Sequence, residues 1–260
     1  MKNINFQADK LEVKLFETND IIGQAAAKSV AGILQEAIAQ RGSANLILAT
    51  GASQFKFLEY LQKQEIDWQK ITVFHLDEYK DLPETHPASF RKYLKERILE
   101  QVNPREVHYL NGDALDVDAE VTRYEKLLRE HSIDVACIGI GENGHIAFND
   151  PPVADFNDPK LVKVVELDEA CRLQQLGEGW FPTLSDVPKE ALSLTIPAIM
   201  RAKRISCVVP GIQKAKAVFN TLNQEISTAC PATILREHPH AILYLDRLSS
   251  SELKPEEQAR

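Results

Sequence analysis

Residues 133–152 read IDVACIGIGENGHIAFNDPP, and the break in the middle of that stretch constrains the fold more than any other feature of the chain. Val135-Ala136-Cys137-Ile138 is an apolar run without polar alternation, the pattern of a strand buried on both faces. A strand of that kind belongs in a parallel sheet covered by helices. The run then breaks at Gly139, Gly141 and Gly144, followed by His145 and by Asn149-Asp150-Pro151-Pro152. Glycines let the backbone turn tightly and approach a ligand. A loop at the carboxyl end of a central strand is where open α/β sheets bind ligands. The spacing Gly139-x-Gly141-x-x-Gly144, with Glu166 downstream, also fits a dinucleotide fingerprint. That match is weak, because the fingerprint needs a helix beginning inside the glycine run and the Asn-Asp-Pro-Pro sequence cuts one short. A plain strand-to-loop turn with a solvated His explains the glycines but not the adjoining His and acid.

Along the rest of the chain, strand and helix patterns alternate. Residues 11–16 alternate apolar and polar as a strand does. Asn19-Asp20 suit the cap of a long helix in which Ile22, Ala26, Val30, Ile33, Leu34 and Ala37 recur at helical spacing until Gly42. Further strands are expected at 46–49, 71–76, 107–110, 161–167, 191–196, 205–209 and 241–245. Helices are expected after Ser53, over 88–102 and 117–130, and from about Gln213 and Cys230. Residues 168–188 differ in character, with Gly177, Gly179, Pro182, Pro188 and an exposed-looking Trp180-Phe181. They read as a flap over a cleft or as a long surface excursion. The tail, 249–260, is polar and expected to fray. No repeat or linker interrupts the pattern. The expectation is a single α/β domain over 1–260, a doubly wound, mostly parallel sheet with helices on both faces and 168–188 as its lid segment.

Composition narrows the function. A hydrophobic fraction of 44% over 260 residues suffices for a sizeable core. The formal charge of −8 argues against nucleic acid as a partner. No apolar run is long enough to span a membrane, and MKNINFQADK has no apolar core of a signal peptide. Cys137, Cys171, Cys207 and Cys230 form no CxxC pair, which fits a reduced, cytoplasmic setting.

Three expected strand ends carry unusual chemistry, and in a parallel sheet they share one edge. Thr50-Gly51-Ala52-Ser53 forms a strand-glycine-helix turn whose backbone N–H groups and hydroxyls suit a phosphate, or whose Ser53 is an ordinary helix cap. His75-Leu76-Asp77-Glu78-Tyr79 places adjacent acids among apolar residues, either a carboxylate of raised pKa or a solvated turn. His145 beside an acid can pass a proton near neutral pH. Lys214, again between a strand and a helix, is either a phosphate partner or a solvated lysine. No His/Asp/Glu cluster has convincing zinc spacing; His238-Pro239-His240 is a weak candidate. Together these pieces suggest a small phosphorylated substrate, an acid–base pair and no metal.

At these residues the chain resembles the glucosamine-6-phosphate deaminase (isomerase) family, from the Thr50 turn to about Asp246. The most specific matches are Leu76-Asp77-Glu78-Tyr79, Leu82-Pro83, His86-Pro87-x-Ser89 and Gly144-His145-Ile146-Ala147-Phe148-Asn149. Gly211-x-Gln213-Lys214-Ala215 and His238-Pro239-x-Ala241-Ile242 follow in order. The related 6-phosphogluconolactonases share the Gly-His turn but lack the Asp-Glu-Tyr pattern. The resemblance implies conversion of glucosamine 6-phosphate to fructose 6-phosphate with release of ammonia, with no cofactor. It implies that His145 helps open the sugar ring and that Asp77 moves a proton between C2 and C1. It assigns the phosphate to residues 50–53 and Lys214.

Two departures stand out. Where the family usually has Asp two residues before the His, this chain has Asn143; where it has Glu after Phe-Asn, this chain has Asp150. Both positions usually act with the His. A phosphate-binding Arg is also missing around 174–180, with Arg172 out of register. These departures leave two alternatives: a catalytically weakened sugar-phosphate sensor, or an enzyme acting on another sugar phosphate such as galactosamine 6-phosphate. Homo-oligomerisation is left open, since Trp180 and Phe181 suit either a lid or a subunit contact.

Overall fold

The computed structural model describes residues 4–253. In chain order the elements are β1 (Ile4–Ala8), β2 (Leu11–Leu15), α1 (Asn19–Arg41), β3 (Ala44–Leu48), α2 (Phe55–Leu61), β4 (Ile71–His75), β5 (Asp77–Tyr79), α3 (Phe90–Leu94), α4 (Glu100–Val102), β6 (Glu106–His108), α5 (Val117–Glu130), β7 (Val135–Ile138), β8 (Val162–Glu166), α6 (Glu169–Gly177), β9 (Glu190–Leu194), α7 (Ile196–Met200), β10 (Ile205–Val209), α8 (Ala215–Asn223) and β11 (Ala241–Leu245).

The apolar run at β7 sits near the middle of an eight-stranded sheet ordered β1-β2-β11-β10-β7-β3-β4-β6. Every pairing in it is parallel except β1 with β2. Successive side chains of a strand point to opposite faces, and β7 shows why it carries no polar residue. Ala136 and Ile138 join a cluster with Tyr124 and Leu128 of α5, Ile199 of α7 and Val218 of α8. Val135 and Cys137 join a second cluster with Ile22, Val30 and Leu34 of α1, Leu58 of α2 and Leu94 of α3. The sheet is therefore covered on both faces, as expected for a doubly wound fold.

Local signals account for the boundaries. Thr18, rather than Asn19-Asp20, caps α1, its hydroxyl accepting from the Ile21 N–H at 3.4 Å. Gly42 ends α1 in the left-handed region at φ 80. The expected helix 88–102 forms as α3 and α4 joined through a π-helical turn at Lys95–Leu99. The helix expected from Cys230 is a 3₁₀ segment, Pro231–Glu237.

The architecture departs from a single sheet in one respect that matters. β5, β9 and β8 leave the main sheet and form a separate antiparallel sheet. The reason is visible in β8, Val-Lys-Val-Val-Glu, which carries polar residues that a doubly covered strand would have to bury. Beside it a third apolar cluster forms from Tyr79, Phe148, Cys171, Phe181 and Val187. Phe181 is thus buried, not exposed as the sequence suggested, and its ring meets Tyr79 edge-on at 5.5 Å. β1, which the sequence pattern did not mark, buries only Phe6. Of the tail, Ser249 and Ser250 are buried, the Ser249 N–H donating to Asp246 Oδ1 at 2.8 Å. Residues 254–260 lie outside the described residues.

Candidate active site

The order of the large sheet reverses between β3 and β7: β3, β4 and β6 run outward one way, while β7, β10, β11 and β2 run the other. Such a switch point opens a crevice at the carboxyl ends of the strands. A cleft of about 850 Å³ lies there. Its wall includes residues 50–53 after β3, Asp77 after β4, Gly141 and His145 after β7, Lys214 after β10 and Asp246 after β11. α6 closes another side with Leu173, Gln174 and Gln175.

Two of these strand ends have the same local build. Gly51 (φ 98, ψ 163) is followed by the 3₁₀ turn Ala52–Gln54 and then α2. Gly211 (φ 95, ψ 151) is followed by the 3₁₀ turn Ile212–Lys214 and then α8. Only glycine enters that backbone region freely. Each turn presents first-turn N–H groups that a helix leaves without partners. Ser53 makes no cap; its hydroxyl accepts from Gln54 Nε2 at 3.1 Å. Gly51 is held in place by the Tyr93 hydroxyl donating to its carbonyl at 2.8 Å.

Lys214 is buried against the cleft, and burial pushes its ammonium below the usual lysine value while Glu142 and Glu178 oppose that shift. Among the described residues it has no ion-pair partner, and it is the one Lys or Arg on the cleft wall. Arg172 does not substitute for it. Its guanidinium donates to the carbonyls of Leu184 at 2.5 Å and Val187 at 3.1 Å.

Asp77 begins β5 and pairs across it with Ser193. Its carboxyl makes no hydrogen bond to another described residue and stands at the cleft wall. Burial, with the neighbouring Glu78 charge adding to it, pushes its pKa up to about 8. Glu78 itself is not a solvated acid. It accepts from Ser89, the backbone of Phe90 and Arg91, and the Arg91 side chain.

His145 lies against Gly141 so closely that a Cβ there would fall 2.2 Å from the ring. Its Nδ1 stands 2.8 Å from Asp150 Oδ1. Asn143 serves both partners: Nδ2 donates to Asp150 Oδ1 at 2.9 Å and Oδ1 accepts from the His145 N–H at 3.0 Å. Burial pushes Asp150 up, but the His145 contact, with Asn143 and Cys171 behind it, holds its carboxyl below the ordinary value. The shorter Asp therefore does reach the imidazole. Asp150 faces the ring, and Asn143 ties Asp150 to the His145 backbone; both lie off the cleft wall. Asn149 secures the loop from below, its amide donating to the carbonyls of Ile146 and Leu194 at 2.9 and 2.8 Å.

The structure thus brings together Asp77, His145, Lys214 and residues 50–53, with Asn143 and Asp150 as support. It does not bring His238 and His240 into any site. His238 Nε2 lies 2.9 Å from the Ala202 carbonyl and Nδ1 accepts from the His240 N–H at 3.1 Å. Sequence reasoning missed α6's contribution: Gln175 Oε1 accepts from the Tyr79 hydroxyl at 2.7 Å and Gln174 Oε1 from the Glu142 N–H at 3.0 Å. It also missed Asp246, although an acid closing strand β11 was a signal of the same kind as Asp77.

A carboxyl, an imidazole and a buried ammonium meet at the switch point of a doubly wound α/β sheet, the fold of sugar-phosphate isomerases and lactonases. The chain belongs to the glucosamine-6-phosphate isomerase/6-phosphogluconolactonase family, whose model matches residues 17–243. It is 32% identical to a glucosamine-6-phosphate deaminase of Bacillus cereus over 91% of this chain and 87% of the relative. It is 33% identical to one of Bacillus anthracis over the same shares. Among solved structures it resembles a monomeric glucosamine-6-phosphate deaminase with a TM-score of 0.84 and 33% identity, over 92% of this chain and 98% of that one. A 6-phosphogluconolactonase from Shewanella baltica shares the fold with a TM-score of 0.74 at 19% identity, over 94% of this chain and all of that one.

Proposed function

We propose that this protein is a glucosamine-6-phosphate deaminase, converting glucosamine 6-phosphate and water to fructose 6-phosphate and ammonia. The observation that carries the reading is the juxtaposition in one cleft of an unpaired carboxyl of raised pKa, a carboxylate-backed imidazole and a single buried ammonium. The deaminase relatives, at 32–33% identity, support the same activity.

In this mechanism Lys214 and the N–H groups of the two glycine turns hold the phosphate, where a buried cation and helix starts favour a dianion. His145 exchanges the proton between the ring oxygen and the anomeric hydroxyl, and Asp150 stabilises the imidazolium that forms. The open-chain aldehyde makes the C2 proton acidic. Asp77, as carboxylate, takes that proton and returns it to C1 while a proton of the amino group passes to O1, leaving a hydroxymethyl at C1 and an imine at C2. Water adds to the imine and ammonia leaves. Segment 168–188 acts as the lid: α6 places Leu173 to Gln175 on the cleft wall, where closure would exclude water. The chain acts as one catalytic domain in the cytoplasm, a setting that suits four unpaired, buried cysteines.

The test is ammonia release coupled to fructose 6-phosphate formation from glucosamine 6-phosphate. Turnover on the order of 1 s⁻¹ or more is the expected result. Thermal stabilisation by that sugar phosphate without turnover would replace this reading with a sensor. Neither effect would send the search to galactosamine 6-phosphate.

A further inference from the structure

His145, Asp150 and Cys171 offer an imidazole nitrogen, a carboxylate oxygen and a thiol sulfur that all lie within 4.8 Å of one another. All three side chains are buried. Tetrahedral zinc, with bonds of about 2.0–2.3 Å, sets its ligand atoms about 3.3–3.8 Å apart. The three donors already converge, and side-chain rotations that draw them together by up to about 1 Å would form a coordination shell.

The three donors already meet one another: His145 Nδ1 stands 2.8 Å from Asp150 Oδ1, and the Cys171 thiol lies against the same carboxyl. The Asn143 amide meanwhile holds Asp150 Oδ1 at 2.9 Å, the outer-shell support that metal-binding carboxylates use. Charge favours occupancy as well. A thiolate and a carboxylate with a neutral imidazole carry two negative charges, which a divalent cation cancels in a buried place.

We propose that His145, Asp150 and Cys171 form a binding site for a thiophilic divalent cation of the Zn²⁺ type, and that filling it switches the enzyme off. Binding exchanges the Cys171 S–H bond for a sulfur–metal bond, and the proton goes to water. The ion enters from the cleft, where His145 alone of the three lines the wall. It ties α6 to the loop after β7 and takes the imidazole and the acid out of proton transfer. The binding half of this inference stands on geometry alone; the inhibition half rests on His145 opening the sugar ring.

The experiment starts from metal-free protein titrated with Co²⁺. A thiolate-to-cobalt absorption band growing to one equivalent is expected, displaced by Zn²⁺ and absent in Cys171→Ser. Zn²⁺ should inhibit ammonia release reversibly, with EDTA restoring it. In Cys171→Ser and Cys171→Ala, each normalised to its own metal-free rate, the midpoint should rise by at least about tenfold. Cys230→Ser is the control, because that thiol sits against Gly144 in the same region and is not among the three donors. No cobalt band in the parent protein, or a band kept in both Cys171 variants and lost in Cys230→Ser, would overturn the site. A normal cobalt titration in a protein that releases no ammonia would uphold the site and count against the deaminase reading instead.

Discussion

Asp77 is a carboxyl kept protonated by its surroundings, and this has opposite effects on activity and stability. In the unfolded chain it loses its proton near 3.8, whereas in the fold it holds it until about pH 8. Between those values the native state binds a proton that the unfolded state does not, so its contribution to stability falls as pH rises. On the proposed mechanism Asp77 is a base that works only when ionised, so kcat/KM should climb through about pH 8. Asp77→Asn should abolish turnover and remove the pH-dependent loss, so that in urea unfolding its advantage over the parent is larger at pH 8 than at pH 5. Wild-type activity in that variant would sink the assignment. Asn143 gives the complementary case. The relatives' carboxylate at this position looks like a simple restoration, but here the side chain donates to Asp150 at 2.9 Å. Asn143→Asp exchanges that donor for a like charge, so stability at pH 7 should drop by about 1–3 kcal/mol, with a lower kcat. A kcat above the parent's would show the contrary.

At the scale of elements, the junction of β5 with α3 is where a short stretch of sequence does several things at once. Glu78 accepts from Ser89 Oγ and the Arg91 N–H, both at 2.9 Å, at the start of α3, and from Arg91 Nε at 3.2 Å. Arg91 goes on to Asp113 at 2.8 Å and to the Leu82 carbonyl at 2.9 Å. Glu78→Ala takes the acceptor from the Arg91 Nε–H, the Ser89 hydroxyl and the N–H groups of Tyr79, Phe90 and Arg91, all in a buried place, and should destabilise by about 3–5 kcal/mol. Asp113→Ala removes the solvent-facing partner of the same Arg and should cost less than about 1 kcal/mol. Equal losses in urea unfolding would refute the distinction. β5 also shows what the chain conceals. Asp-Glu-Tyr has no strand signal of its own, and reads as a turn, because its extended form is set by pairing with Ala191–Ser193 more than a hundred residues away. β7 and α5 are legible to the residue, the first through its unbroken apolar run and the second through its helical period. The site divides in the same way. Asp77, His145 and Lys214 are legible because each follows a strand. Gln174 and Gln175 are not, because α6, which joins β8 to β9 of the small sheet, carries no such marker.

Over the whole molecule, the large sheet supplies the two glycine turns and the imidazole loop, while the small sheet supplies Asp77 and the base for α6. The cleft exists because these two layers meet at the switch point, so its chemistry depends on contacts far apart in the chain. The order of the large sheet carries this furthest. β2 is bonded on one side to β1, and on the other to β11, with Ile242 opposite Glu12 and Leu245 opposite Leu15. During synthesis β2 leaves the ribosome more than 200 residues ahead of its true neighbour β11. At about 5–20 residues per second the interval is on the order of 10–50 s. For that time the nascent chain displays an open strand edge, a template for pairing with the wrong partner. Translation speed and chaperone access, rather than the stability of the finished fold, then decide how much of each newly made chain reaches it.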